Sequence, residues 1–477
     1  MPSKKVSKKN TPARPRAKNT TKISRPAPTK KVVLPIKAKS EEKEVQKNVP
    51  YATLRGMKDI FAREGEMFQK VYHVAGAVAA AYGFSYMETP ILEQTSLFVR
   101  SIGRTTDVVD KEMYTFEDRD GSKVCLRPEG TAPVARAYIN HGLHTLPQPV
   151  KVWNWGPMFR HERPQAGRYR MFHQFGCETL GEHSAVVDAE LISVAYNTLK
   201  DLGIDSTVRI NSIGTPEDRE NYIVELVSYF RSKRSYLSEE SKKRLIKNPL
   251  RILDSKDQQD RAVVEEAPQI VDWLSETSKK FFTSVLEYLD EAEIPYVLTP
   301  TLVRGLDYYT DTVFELVEDG VDETSQGALA GGGRYNGLIA QLGGQPTPAA
   351  GFSVGVERVL LSLKRKEDEV RKEGVVIEGT PQSKVFFAQL GEQARKRALL
   401  LIERLRRSGI VVSHNLAKSS IKAQLEIADK MKASHTLILG QKEVQDGTII
   451  TRNMESGIQE IVDQKKIESV VRKLMST

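Results

Sequence analysis

Apolar residues along this chain switch between helical and strand spacing, and the switches lay out its elements. Phe61, Phe68, Val71, Tyr72, Ala75, Val78 and Tyr82 form a helical stripe that stops at Gly83. Residues 84–88 then read as a strand closed by Pro90. Short strand-like runs follow at 113–116, 150–155 and 172–178, separated by turn and loop residues. Strands in succession without long intervening helices predict an antiparallel sheet. A helix is expected over 185–202 and a strand over 208–213. Residues 215–292 are charged and helical with few β-branched clusters, as in a helical module inserted between strands. Strand character returns at 296–298 and 312–318, followed by a glycine-rich hairpin and a helix over 353–363. The charge run 364–373 reads as a linker. Beyond it, strand-like runs at 385–390, 410–414 and 436–439 alternate with helical stretches at 392–408 and 420–433. That β-α-β-α-β order predicts a separate small α/β domain with a largely parallel sheet.

Composition narrows the class. At 477 residues the chain is too long for one ordinary core, and 39% hydrophobic with 28% charged residues describes a globular protein. No apolar run approaches the roughly 18 residues that would span a bilayer, and no secretory signal opens the chain. The two cysteines, Cys125 and Cys177, form no C-x-x-C pair, which argues against disulfide scaffolds and cysteine-based zinc sites. A reducing, cytoplasmic setting is expected. The net charge of +9 is misleading, because residues 1–50 alone carry fifteen Lys or Arg against three Glu. This Lys/Pro/Thr/Ala segment is expected to be a disordered basic extension, and the remaining body is slightly acidic.

Chemistry concentrates in a few runs. Phe159-Arg160-His161-Glu162-Arg163-Pro164, then Gly167-Arg168-Tyr169-Arg170, then Phe172-His173-Gln174-Phe175-Gly176-Cys177-Glu178 read as two strands around a loop. Such a hairpin sets a guanidinium suited to phosphate beside carboxylates suited to an ammonium or an imidazole N–H. A solvated, charge-rich hairpin is the plainer alternative, and it would account for a lone R-x-E but not for the whole run. His161-Glu162 does not open H-E-x-x-H, because Gln165 stands fifth. Gly331-Gly332-Gly333 matches neither a P-loop nor G-x-G-x-x-G, so an ATP site must be built another way.

The hairpin resembles motif 2 of class II aminoacyl-tRNA synthetases in its histidyl form. Arg127-Pro128-Glu129-Gly130-Thr131 is similar to the TRPEGT segment of that family, with Leu126 at its first place. Residues 302–309, LVRGLDYY, match a signature of the same family. Ala330-Gly331-Gly332-Gly333-Arg334-Tyr335-Asn336 resembles its second signature, with an extra glycine and Asn336 where Asp is usual. Residues 351–358 look like motif 3, and Pro90 is similar to the motif 1 proline of the dimer interface. The resemblance implies an α+β class II catalytic domain over 51–374, an antiparallel sheet with flanking helices, carrying a helical insertion at about 215–292. It also implies an anticodon-binding α/β domain over 383–477.

The resemblance assigns roles as well. Glu129, Gly130, Thr131 and Gln174 would surround the α-amino group of L-histidine. Glu178 and Tyr309 would bind the imidazole with Tyr308 beside them. Arg160 would contact the α-phosphate of ATP with Glu162 nearby, Phe172 would stack on adenine, and Arg358 would clamp the nucleotide. Arg304 would stabilise charge growing as the histidine carboxylate attacks the α-phosphate; between apolar neighbours and two tyrosines, a cation has no structural purpose until an anion arrives. Arg163, Gln165, Arg168 and Arg170 would meet the acceptor end of histidine tRNA, including its extra 5′ guanosine. Mg²⁺ would accompany ATP through its phosphates, with no separate protein metal site, and the enzyme would be a homodimer with no membrane partner. His173 is expected in a supporting place, and Lys418, Lys422, Lys430 and Lys432 suit a solvated helix face as well as a phosphate backbone. A rival reading, the regulatory subunit of ATP phosphoribosyltransferase, shares the catalytic fold but leaves Arg160, Arg304, Arg358 and the C-terminal domain without purpose. The basic extension carries none of these motifs. Deleting residues 1–45 is expected to leave pyrophosphate exchange intact and to weaken tRNA binding most at low salt, as filter binding across a salt series would read.

Overall fold

The computed structural model describes residues 51–103, 106–321, 328–372 and 384–476; the extension expected to be disordered lies outside them. The first stripe forms the helix Ala62–Ala81, which buries Met67, Val71, Ala75 and Val78 at spacings of four, four and three. It ends where Gly83 takes a left-handed φ of 79°, which lets the chain turn out of the helix. The strands in chain order are β1 (Ser85–Tyr86), β2 (Leu92–Gln94), β3 (Thr115–Glu117), β4 (Lys123–Leu126), β5 (Val150–Phe159) and β6 (Met171–Leu180). After them come β7 (Ser206–Ser212), β8 (Tyr296–Leu298), β9 (Thr310–Glu318), β10 (Ala330–Arg334) and β11 (Ala349–Gly355).

Eight of these form one sheet in the order β1-β5-β6-β11-β10-β9-β7-β8, while β2, β4 and β3 make a small one. Pairing is antiparallel throughout the centre of the large sheet and parallel only at its edges, β1 on β5 and β8 on β7. One face packs on the helices Ala62–Ala81, Ala185–Asp201, Glu276–Glu291 and Val356–Lys372, with Phe175, Phe314, Leu316 and Phe352 pointing into that layer. Of the helical stretch 215–292, Phe282, Val285 and Leu289 join this main core. Tyr222, Leu226, Leu245 and Val263 pack on the opposite face. There Asp260, fully buried, accepts from the Ser238 N–H at 2.7 Å and from the Ser238, Ser241 and Ser255 hydroxyls.

Two expectations change. Residues 353–355 belong to β11, and the helix runs from Val356 to Lys372, so most of the presumed linker is helical. Its charges are anchored: Arg365 pairs with Glu318, Glu367 with Arg63, and Lys366 donates to the Gly203 carbonyl at 2.6 Å. The C-terminal sheet, β12 (Val385–Gln389), β13 (Ser413–His414), β14 (His435–Leu439), β15 (Thr448–Asn453) and β16 (Gln459–Asp463), runs β13-β12-β14-β15-β16. It is parallel only from β13 to β14; β15 and β16 form an antiparallel hairpin. The polar, half-exposed faces of that hairpin hide its strand pattern. Central β12 is buried along its whole length, as a strand covered on both faces must be.

Among the described residues no helix is long and apolar enough to cross a membrane. Among the described residues an ion pair lies in the interior without water access: Arg334 meets Asp188 at 2.9 Å, with side-chain exposures of 0% and 1%. Arg334 also donates to the carbonyls of Glu182 and Ser184, both at 3.0 Å, and so ties β10 to the start of the helix Ala185–Asp201. Replacing Arg334 by Met removes one partner and strands a carboxylate. Urea unfolding should record a loss of about 3–5 kcal/mol, and a loss under about 1 kcal/mol would show that the pair is not what holds this joint.

Candidate active site

Strand parity builds this site. On β6, Phe172, Gln174 and Glu178 share one face, and Phe175 and Cys177 point to the helix core. On β9, Glu315 lies between Phe314 and Leu316, which face the core, so its carboxylate points to the site. Glycines make room for these groups. A Cβ on Gly351, the β11 partner of Glu178, would lie 1.5 Å from a Glu178 oxygen, and one on Gly331 would lie 2.5 Å from an Arg304 nitrogen.

Above this floor a cavity of about 1460 Å³ is lined by two groups of side chains. In the first, the Glu129 carboxylate accepts the N–H groups of Thr131 (2.7 Å) and Ala132 (2.8 Å) at the start of the helix Thr131–Asn140. Burial raises its pKa against the pull of those N–H groups. The Thr131 hydroxyl donates to Glu178 at 2.7 Å, and the Tyr335 hydroxyl donates to the other Glu178 oxygen. Burial pushes the Glu178 carboxyl up to about 8. Tyr308 and Tyr309 close this group, their ring centroids 4.7 Å apart. Gln174 Oε1 is buried here without a hydrogen-bond partner, an acceptor open to an ammonium.

The second group is cationic. Arg160 donates through Nε to the Pro128 carbonyl at 2.9 Å, and its guanidinium lies 5.4 Å from the Phe172 ring centre. Arg358 donates to the Ala328 carbonyl at 2.5 Å; burial lowers its pKa and nearby Arg168 lowers it further. Glu162 pairs with Arg168 at 3.3 Å and stands 3.9 Å from Arg160. Arg304 bridges the two groups, 5.6 Å from the Tyr309 ring centre. The sequence left Arg304 without an anion; the structure supplies Glu315, which pairs with it. Burial alone would lower the Arg304 pKa, but Glu315 and the two tyrosines carry it upward.

Other assignments also shift. Glu178, 1% exposed, lies behind the cavity wall rather than on it, so any contact with a ligand must be made past Thr131 and Tyr335. Gly130 faces Asn154, whose oxygen a Cβ would meet at 3.0 Å, and does not line the cavity. In the hairpin loop Arg168 lines the cavity while Arg163 and Gln165 are exposed outside it. Arg170 is not a free loop cation: its N–H donates to the Gly56 carbonyl at 2.7 Å and its side chain packs on Gly56. Sequence reasoning missed Glu315 and Tyr335, although alternation along β9 would have put Glu315 on the site face. Asn336 donates to Asp311 at 3.2 Å and accepts from the Ala349 N–H at 3.3 Å. No group of His, Cys, Asp and Glu among the described residues is arranged to hold a metal ion.

The family model for histidyl-tRNA synthetase matches residues 56–215 and 233–359, and an anticodon-binding-domain model matches 384–474. The histidine–tRNA ligase of Dehalococcoides mccartyi is 42% identical over 424 residues, 89% of this chain and 99% of that protein. The apo histidyl-tRNA synthetase of S. aureus superposes with a TM-score of 0.71 at 32% identity, covering 89% of this chain and 100% of that one. A Bacillus halodurans structure described as an ATP phosphoribosyltransferase regulatory subunit/histidyl-tRNA synthetase reaches a TM-score of 0.58 at 20% identity, over 80% of this chain and 97% of its own. At that identity the likeness shows the fold alone.

The raised Glu178 pKa has a consequence for stability. An unfolded glutamate releases its proton near pH 4.3, whereas the folded carboxyl holds it to about 8. Between those values the folded state binds the extra proton, so this group's contribution to stability falls as pH rises, by up to about 1.4 kcal/mol per unit. Glu178→Gln is expected to remove that slope. Melting temperatures of both proteins from pH 5 to pH 8 should diverge steadily in the variant's favour, and a pH-independent difference would mean that Glu178 is ionised throughout.

Proposed function

The chain belongs to the histidyl-tRNA synthetase family, and from that premise we propose that it is a histidine–tRNA ligase, activating L-histidine with ATP and passing the histidyl group to the 3′ end of histidine tRNA. The observation that carries this reading is one cavity with two chemistries: buried acceptors on Glu129 and Gln174 beside a row of guanidiniums from Arg160, Arg304 and Arg358. The acceptors suit an α-ammonium, and the guanidiniums suit a triphosphate. Glu129, Thr131 and Gln174 hold the amino group in this proposal. Tyr308 and Tyr309 enclose the imidazole, and Glu178 sets the polarity at its far end through Thr131 and Tyr335. A site that pairs both imidazole nitrogens rejects apolar isosteres, which would leave its buried polar groups unsatisfied.

ATP lies with its adenine on Phe172 and its phosphates on Arg160 and Arg358. A histidine carboxylate oxygen attacks the α-phosphorus; the new O–P bond forms as the bond to the β-phosphate breaks, and pyrophosphate leaves. No protein nucleophile takes part, so rate comes from placement and from Arg304 answering charge on the α-phosphate. Mg²⁺ fits as an ion carried by the phosphates, since the cavity carboxylates Glu162 and Glu315 already face arginines. Arg163 and Gln165 are the exposed loop groups that meet the tRNA acceptor end, with Arg168 at the cavity edge beside them and Arg170 bracing the loop, and the domain after residue 383 reads the anticodon. A homodimer fits the exposed apolar residues Tyr86, Ile91, Leu92 and Phe116 around Pro90.

Pyrophosphate exchange tried with all twenty amino acids tests the activity, and histidine alone should support it. Arg304→Ala should slow single-turnover adenylate formation about 10²–10³-fold, the scale of losing one transition-state donor. Because Glu315 then loses its partner, the melting temperature should drop by only a few degrees. Near-normal chemistry, or a fall in activity matched by unfolding, would make Arg304 a structural ion-pair residue.

A further inference from the structure

Where β11 ends, β6 loses a neighbour. The ladder between them runs from Ala349 opposite Leu180 to Gly355 opposite Gln174, and the chain then turns into the helix Val356–Lys372. Gln174 and the residues after it on β6 are held on both sides; Phe172 and His173 pair only with β5. On that side His173 faces Pro157, which has no N–H to give. The open side is closed by a side chain. Glu357, 3% exposed, accepts the His173 backbone N–H with both carboxylate oxygens, at 3.0 and 2.9 Å, and meets the His173 Nδ1 at 2.9 Å. The imidazole is fixed in turn by an edge-on contact with Phe68, centroids 4.9 Å apart.

The neighbours of this contact give it meaning. Phe172 precedes His173 and Arg358 follows Glu357, and both line the cavity. We propose that Glu357 is a positioning residue for the nucleotide: its carboxylate replaces the missing end of the β6–β11 ladder and so fixes the Phe172 ring and the Arg358 guanidinium relative to each other. A carboxylate held by a backbone N–H and an imidazole cannot slide without losing both, so the adenine platform and the phosphate clamp share one anchor. This rests on the assignment of Phe172 and Arg358 to ATP made above. Histidine contacts depend on it less, because Gln174 keeps its ladder partner Gly355.

The test uses the full chain with Glu357→Ala and Glu357→Gln, comparing melting temperature, KM for ATP, KM for histidine and kcat in pyrophosphate exchange, together with calorimetric ATP binding without histidine. Glu357→Ala should weaken ATP about tenfold or more, as misplacement of binding groups does, while KM for histidine moves less than about threefold. Glu357→Gln keeps an acceptor for the His173 N–H and should restore ATP affinity to within about threefold of wild type. If Glu357→Ala does not fold, Glu357→Asp, one methylene too short to span the gap, should still lose ATP affinity selectively. Unchanged ATP affinity in a folded Ala or Asp variant, or equal losses for ATP and histidine, would overturn the proposal. Absence of histidine-dependent exchange in the wild type would instead sink the activity reading, and the calorimetric comparison would still decide the role of Glu357.

Discussion

The register that sets Gly351 opposite Glu178 is the constraint on which the floor of this cavity depends. Only a residue without a side chain lets the carboxylate lie across the neighbouring strand, where Thr131 and Tyr335 reach it from two further elements. Slipping β11 by one residue would bring the Phe352 side chain to that face and its core partners to solvent. Gly331 repeats the device under Arg304, beside Glu315, its own partner across the β9–β10 pair. In both places a polar side chain is laid flat on the sheet instead of projecting from it.

Four charged groups at the centre of the cavity are held by something other than a ligand. Arg160 is tethered to a carbonyl, Arg358 to another, Arg304 to Glu315, and Glu129 to two N–H groups of a helix start. Such tethers cost the site some raw attraction but spare it reorganisation when substrate charge arrives, which is where electrostatic catalysis gains most. The imbalance between the acidic pocket and the basic row is thus built into the empty protein.

The sequence made the site's chemistry more legible than its geometry. Residue types in the hairpin and in 302–309 named much of the cavity wall, and within the hairpin strand alternation converts spacing directly into facing. What escaped were partners outside the motifs. Glu315 answers Arg304 from eleven residues along the chain, on a face that alternation in β9 could have shown, whereas Tyr335 answers Glu178 across 157 residues with no local signal. Helix length escaped for a related reason: the charges of 364–372 look like a linker until Glu318 and Arg63, distant in sequence, are seen to receive Arg365 and Glu367. The hairpin β15–β16 was missed because its exposed positions break up the apolar pattern on which strand recognition relies.

Asn336 joins two strand ends: its amide reaches Asp311 at 3.2 Å while its oxygen takes the Ala349 N–H. Asp311 is 7% exposed, so its carboxylate has little room to turn aside. Two carboxylates at this spacing would have to share a proton or part. Positions 311 and 336 therefore behave as a single two-letter word: the amide at one licenses the acid at the other. An acid at 336 would confront Asp311 across that gap, with Arg334, 3.4 Å from the oxygen of residue 336, as the cation left to offset it.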